Sequence, residues 1–168
     1  YTHPNGYGLG LMGAARFICE GSATAPNRIV RYNTVQEQAN TNWFNPTFGW
    51  SVLTTWLSTS SGAQSRFRFT DWSVLAKDVS HFEGLYEDTG THDFVDCQFH
   101  GGGFLTLRPN VNFTNCLFER SLVTLDDSYQ VNAHFRNNLF LGSEMWLLQY
   151  GQGEWSFKDN LFAGVTLY

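Results

Sequence analysis

Asp126 and Asp127 are adjacent in this chain, and paired carboxylates are the groups that glycoside hydrolysis uses as general acid and base. His100 precedes the run Gly101-Gly102-Gly103; an imidazole takes up and returns protons near neutral pH, which makes it a candidate general base. With Arg108 from the next loop segment, Asp126, Asp127 and His100 form the candidate catalytic set. Each also has a structural reading: Asp126-Asp127-Ser128 suits a solvated turn, and His100 beside glycines suits another. The triple glycine is no phosphate loop, because it precedes a strand-like segment and lacks the Gly-Lys-(Ser/Thr) ending. Trp43 and Trp50, in an Asn-, Pro- and Gly-rich stretch, are the candidate carbohydrate-binding residues, since sugars stack on exposed aromatic faces. Trp146 and Trp155 are expected to pack in or between layers. Asn112-Phe113-Thr114 fits the N-glycosylation sequon.

What positions these residues is a repeat. The phrase Phe-x-(Asp/Asn)-(Cys/Asn)-x-Phe occurs four times, beginning at Phe94, Phe113, Phe135 and Phe157, at intervals of 19, 22 and 22 residues. Such a period marks a solenoid whose turns stack on one another. Within each phrase the second aromatic (Phe99, Phe118, Phe140, Phe162) follows the first by five residues, an odd number, so a straight strand would point the two to opposite faces. Both want burial. A corner between them resolves the conflict, and Asp96, Asn115, Asn137 and Asp159 at the middle are residue types that tolerate the left-handed backbone a tight corner needs. Val95, Thr114, Arg136 and Lys158 then point outward. A Gly-, Ser- or Arg-containing stretch follows each phrase, then a short apolar strand such as Phe104 to Leu107 or Leu122 to Leu125, then a polar turn. The spacing predicts an all-β, right-handed parallel β-helix with coils of about 22 residues.

From about Phe67 onward the chain resembles the right-handed parallel β-helix superfamily that includes pectate lyases, and asparagine at the bend is similar to the internal asparagine ladder of those proteins. The resemblance implies a fold more than an activity, because the superfamily holds lyases, hydrolases, epimerases, adhesins and phage fibres. Its polygalacturonase branch also carries a double Asp, but the Asn-x-Asp, Gly-His-Gly and Arg-x-Lys motifs of that branch have no counterpart here. Its lyases hold Ca²⁺ on acidic residues, for which Glu119, Asp126 and Asp127 would be the oxygen donors, and use a basic residue, for which Arg108 and Arg120 lie near the loops. No other cofactor is expected.

Upstream the period blurs. Residues 66 to 74 read as a degenerate phrase with Phe69, 25 residues before Phe94, in the first aromatic position. Residues 1 to 66 are expected to form irregular coils or an insertion before the solenoid of 67 to 168, with a strand over Arg28 to Val35 and at most a short helix over Val35 to Asn40.

Composition bounds the rest. Aromatics make up 17% of the 168 residues, led by 15 Phe, while charged residues reach only 15%, which suits stacked aromatic ladders. The net charge of -5 argues against nucleic acid, which requires a basic face. No apolar run approaches the length of a membrane span. Three cysteines make no disulfide framework, and Cys97 and Cys116, at one position of adjacent coils, read as a stack of free thiols. After Phe162 only six residues remain against 16 between Phe118 and Phe135, so the last coil is unfinished; the expectation is a longer chain or another chain stacked on it. Three functions follow: an extracellular or cell-surface protein that engages polysaccharide without an assignable catalytic set, a rod, adhesin or filament subunit joined end to end, or a polysaccharide lyase or glycoside hydrolase.

Overall fold

The corner between the paired phenylalanines is present in every phrase: Asp96, Asn115, Asn137 and Asp159 have φ of 54°, 57°, 55° and 58°. The structure, a computed structural model, describes residues 8–30, 51–56, 62–73, 80–85 and 88–168. Three strands make one coil. The first comprises β1 (Leu9–Met12), β2 (Arg16–Glu20) and β3 (Asn27–Val30), and the second β4 (Ser51–Trp56), β5 (Gln64–Arg68) and β6 (Thr70–Ser73). The third is β7 (Ser80–Gly84), β8 (Thr91–Val95) and β9 (Gln98–His100); the fourth is β10 (Gly103–Thr106), β11 (Asn110–Thr114) and β12 (Leu117–Glu119). The fifth is β13 (Leu122–Asp126), β14 (Ala133–Arg136) and β15 (Leu139–Leu141), and the sixth β16 (Glu144–Leu148), β17 (Trp155–Lys158) and β18 (Leu161–Ala163), after which β19 (Thr166–Leu167) begins another.

Each strand pairs in parallel with its counterparts in the coils before and after it, which gives three sheets of 7, 6 and 6 strands wound as a right-handed parallel β-helix. Face one runs from β1 to β19, face two from β2 to β17, and face three from β3 to β18. Among the described residues the only named helical element is a 3-10 turn, Asp127–Tyr129.

The interior consists of columns. On face two, Phe67, Phe94, Phe113, Phe135 and Phe157 stack with ring centroids 5.3, 4.8, 4.9 and 4.8 Å apart and planes within 11°. On face three, Phe99, Phe118, Phe140 and Phe162 stack at 5.0, 4.6 and 4.9 Å. These distances are the strand spacing of a sheet, so identical aromatics in register stack without adjusting the backbone. The columns meet edge to face, Phe94 against Phe99 at 73°. In these columns Phe94, Phe99, Phe113, Phe118, Phe135 and Phe140 are at most 1% exposed, whereas Phe157 and Phe162, in the sixth coil, are 38% and 43% exposed.

Two sequence expectations are corrected by register. Phe67, not Phe69, pairs with Phe94, and Trp72 takes the place of the second aromatic against Phe99. Phe69 is itself the corner, at φ 46° with the Arg68 guanidinium 4.9 Å over its ring, because the buried aromatic must stand two residues before the turn. The internal amide ladder is also displaced by one position, from the corner residues to the ones that follow them. The corner residues project outward, and it is the next residue (Thr70, Cys97, Cys116, Asn138, Asn160) that turns inward.

That inward position has a definite task. The inward side chain reaches a carbonyl one coil earlier: Asn138 Nδ2 donates to the Phe113 carbonyl (3.1 Å) and Asn160 Nδ2 to that of Phe135 (2.9 Å). Cys97 and Cys116 do the same weakly through sulfur, toward Phe67 and Phe94. Both are free thiols, and burial pushes the Cys116 thiol well above its usual range. The segment expected to be a strand over Arg28 to Val35 is β3 only as far as Val30; residues 31 to 35, and the short helix expected over Val35 to Asn40, lie outside the described residues.

Candidate functional site

Where face two turns into face three, the corners of successive coils line one side of a groove of about 700 Å³. One edge is the exposed ladder Asp96, Asn115, Asn137 and Asp159; the other is the first outward position of face three, Arg28, Asp71, Gln98, Leu117, Leu139 and Leu161. Five steps of strand spacing give a run of about 24 Å. The first coil closes one end, because its corner is the longer excursion Gly21 to Pro26, folded by the reciprocal backbone bonds of Ser22 and Ala25, both 3.1 Å. The ladder has a direction: Asn115 Nδ2 donates to Asp96 Oδ1 (2.5 Å) and Asn137 Nδ2 to Asn115 Oδ1 (3.2 Å). Arg68 Nε lies 3.4 Å from Asp96 Oδ2.

At the other margin of face three lies a second constellation. His100 Nδ1 is 2.7 Å from Glu119 Oε2, and its Nε2 is 3.8 Å from Asp71 Oδ1, beyond hydrogen-bond reach. Arg120 Nη2 is 3.0 Å from Glu119 Oε1. The hydrogen bond from His100, with a smaller effect of Arg120, holds the Glu119 carboxyl below its usual range. A carboxylate only accepts, so Nδ1 carries the proton shared with Glu119, while Nε2 faces the Asp71 carboxylate. A pocket of about 240 Å³ adjoins His100, bounded by Gly101, Gly102, Arg120, Ser121 and Glu144.

The corner that carries Arg120 is left-handed in the third to sixth coils, with Gly101, Gly142 and Gly164 at φ of 66°, 59° and 64° and Arg120 at 51°. Glycine adopts this conformation without strain; arginine does not. Arg120→Gly is expected to stabilise the fold by about 1 kcal/mol in urea unfolding, because the exposed Glu119 contact it gives up is worth little. A loss of stability would show that the ion pair outweighs the strain.

Beneath this corner His81 is fully buried, and its Nε2–H donates to the Gly101 carbonyl at 2.7 Å. Burial, partly offset by that hydrogen bond, lowers its pKa to about 4. An unfolded histidine titrates near about 6.5, so the unfolded chain takes the proton first. Stability from this group is complete above about pH 6.5 and declines as pH falls toward about 4, by up to about 3 kcal/mol. His81→Phe should flatten that part of the stability curve measured by urea unfolding; an unchanged slope would place the acid sensitivity elsewhere.

The candidate catalytic set is not brought together. His100 precedes β10 and Arg108 follows it, so face one lies between them, and Arg108 is exposed on the same loop stack as Asp126 and Asp127. Asp126 caps the 3-10 turn, accepting from Ser128 N at 3.0 Å. Asp127 is fully buried and accepts from the backbone amides of Val131 (2.8 Å), Gly151 (3.2 Å) and Gly153 (2.9 Å). Its oxygens are occupied in tying two loops together. Glu119, Asp126 and Asp127 do not converge, and among the described residues no group of three or more His, Cys, Asp or Glu is arranged to hold a metal, so the residues do not fit a Ca²⁺ site. Trp43 and Trp50 lie outside the described residues. Trp146, expected to pack between layers, is instead 42% exposed on face one, edge-on to Tyr168. Trp155 Nε1 donates to the Val131 carbonyl. Asn112 faces outward and donates to Asp93 Oδ1 at 2.8 Å.

Sequence reading missed one further set. Ser65 Oγ is 2.8 Å from His92 Nδ1, and His92 Nε2 is 2.8 Å from Asp88 Oδ2. The types are those of a nucleophilic triad, but all three are at most 3% exposed and Phe82 covers the imidazole at 4.9 Å. Burial alone would raise the Asp88 pKa; hydrogen bonds from His92 and its other partners outweigh it and hold the carboxyl below its usual range. With Asp88 Oδ1 accepting from Gly90 and Ala63 amides, the set closes a loop inside the helix. No helix among the described residues is long and apolar enough to cross a membrane. Compared with known proteins, the chain matches no family model, no curated protein and no solved structure.

Proposed function

We propose that the groove along the Asp/Asn corners binds a linear glycan, and that the chain is an extracellular or cell-surface member of the pectate-lyase-like β-helix superfamily. The observation that carries this reading is the pairing of edges: a polar ladder faces a column that ends in Leu117, Leu139 and Leu161. A sugar chain has the matching character, hydroxyls at its rim and C–H groups on its ring faces. A panel of neutral, uronate and sulfated oligosaccharides, titrated calorimetrically, tests it. Asn137→Gly, which keeps the left-handed corner, and Leu139→Asp should each weaken the best ligand about tenfold, a loss on the scale of one hydrogen bond or one small apolar contact. Trp146→Ala on face one should leave it unchanged. Absence of binding across the panel, or loss in Trp146→Ala alone, would reject the groove as the site.

A second reading, a polysaccharide lyase or glycoside hydrolase, is favoured by the hydrogen-bonded His100–Glu119 pair. Product release from a polysaccharide panel that survives His100→Ala would remove that pair from any mechanism.

A further inference from the structure

We infer that Cys97 and Cys116 form an oxidisable pair, a site at which hydrogen peroxide closes a reversible disulfide between the third and fourth coils. Register brings them together. Phe94 pairs with Phe113 and Val95 with Thr114 before the corner, and Gln98 with Leu117 after it, so the two cysteines lie directly one above the other. Each thiol has the same orientation: Cys97 Sγ is 3.5 and 3.3 Å from the carbonyls of Phe67 and Val95, and Cys116 Sγ is 3.4 Å from those of Phe94 and Thr114. Sulfur therefore stands over sulfur, and the two are hydrogen-bonded to each other. A second observation is the composition of the column. Asn138 and Asn160 hold the same position in later coils and reach their carbonyls with an amide N–H. A thiol is a weak donor, so this task does not account for cysteine in two adjacent coils. The pair is also reachable: both residues, though 1% and 3% exposed, line the groove, which admits a molecule as small as peroxide.

Cys97 is the attacking thiol. The S–H of Cys116 donates to its sulfur and holds its pKa below the usual value, whereas burial pushes Cys116 up. The Cys97 thiolate attacks one peroxide oxygen; an S–O bond forms, the O–O bond breaks, and the departing hydroxide takes the Cys97 proton and leaves as water. The Cys116 sulfur then attacks Cys97; the S–S bond forms, the S–O bond breaks, and the second hydroxide leaves as water with the Cys116 proton. The two thiols together lose two electrons, and peroxide is reduced to two waters. A strand spacing of about 4.8 Å suits the Cα separation of a disulfide but exceeds its Cβ separation of about 3.5 to 4.5 Å. Closure draws the two corners together under strain, so the bond is readily reduced again.

The test treats the folded 168-residue chain with equimolar hydrogen peroxide, removes the excess with catalase, and unfolds the protein in urea with iodoacetamide present before intact-mass and peptide analysis. Before treatment all three cysteines should be alkylated. Afterwards only Cys19 should be, with a peptide linking 97 to 116, and dithiothreitol should restore all three. Cys19, whose sulfur is 3.9 Å from Thr70 Oγ1, is the internal control. Cys97→Ser should leave both remaining thiols alkylatable, and Cys19→Ser should leave closure unchanged; the wild-type result stands without either variant. Three alkylated cysteines after peroxide, a bridge that includes Cys19, or sulfinic acid on single residues without a bridge would each overturn the inference.

Discussion

Phe113→Ala is expected to lower the free energy of unfolding by about 3 to 5 kcal/mol, the upper part of the range for large-to-small core changes. Phe113 is 1% exposed and lies between Phe94 at 4.8 Å and Phe135 at 4.9 Å, with Phe104 and Phe118 edge-on at 5.1 and 5.2 Å. A globular core can partly collapse around a lost ring. Here the rings above and below are each held at strand spacing by their own ladder bonds, so the gap persists and the full cavity cost is felt. Phe157→Ala is the internal control. Its ring is stacked on one side only and 38% exposed, and it should cost less than half as much. Urea unfolding of both variants decides the matter: equal losses would show that the column carries no stability beyond ordinary burial.

Asp127→Ala is expected to cost about 3 kcal/mol or more, because buried amides that lose a charged acceptor are each left unsatisfied at about 1 to 3 kcal/mol. Three backbone donors from two loops converge on this carboxylate, and Gly153 approaches so closely that no other side chain can fill the space. Asp127→Asn, which keeps one acceptor but turns an N–H toward those donors, should fall between wild type and alanine. Glycan binding by the folded fraction should be unaffected. The opposite pattern, full stability with lost binding or activity, would return the residue to the chemistry that its pairing with Asp126 suggests.

The corner phrase was legible because its constraint is local. Two aromatics five residues apart and an Asp or Asn between them state a turn wherever they occur. The phase of the turn was harder to read. Asp96, Asn115, Asn137 and Asp159 had the backbone expected of them, yet their side chains form an outer ladder, and the inner one belongs to Asn138 and Asn160 with two thiols in line. Residue type cannot separate these roles, since Asn serves both. Phe69 is a related case: hydropathy places an aromatic in the interior, but a left-handed corner turns its side chain out.

The stacking of coils, the parallel sheets and the aromatic interior follow from the residue pattern alone, because each turn of a solenoid must solve the same burial problem and so repeats the same residues. Which polar side chains meet depends on how the coils lie on one another. His100 and Glu119 are 19 residues apart, Ser65 and His92 are 27 apart, and Asp127 reaches Gly153 across 26. Contacts between neighbouring coils are set by register, and the loops that join the coils differ in length from one turn to the next. His100, Glu119 and Asp127 sit beside the loops, where no repeat imposes their identity and linear spacing loses its meaning. The adjacent carboxylates Asp126 and Asp127 become a cap and a buried tie, while the groove forms where the corners of five successive coils fall into one line.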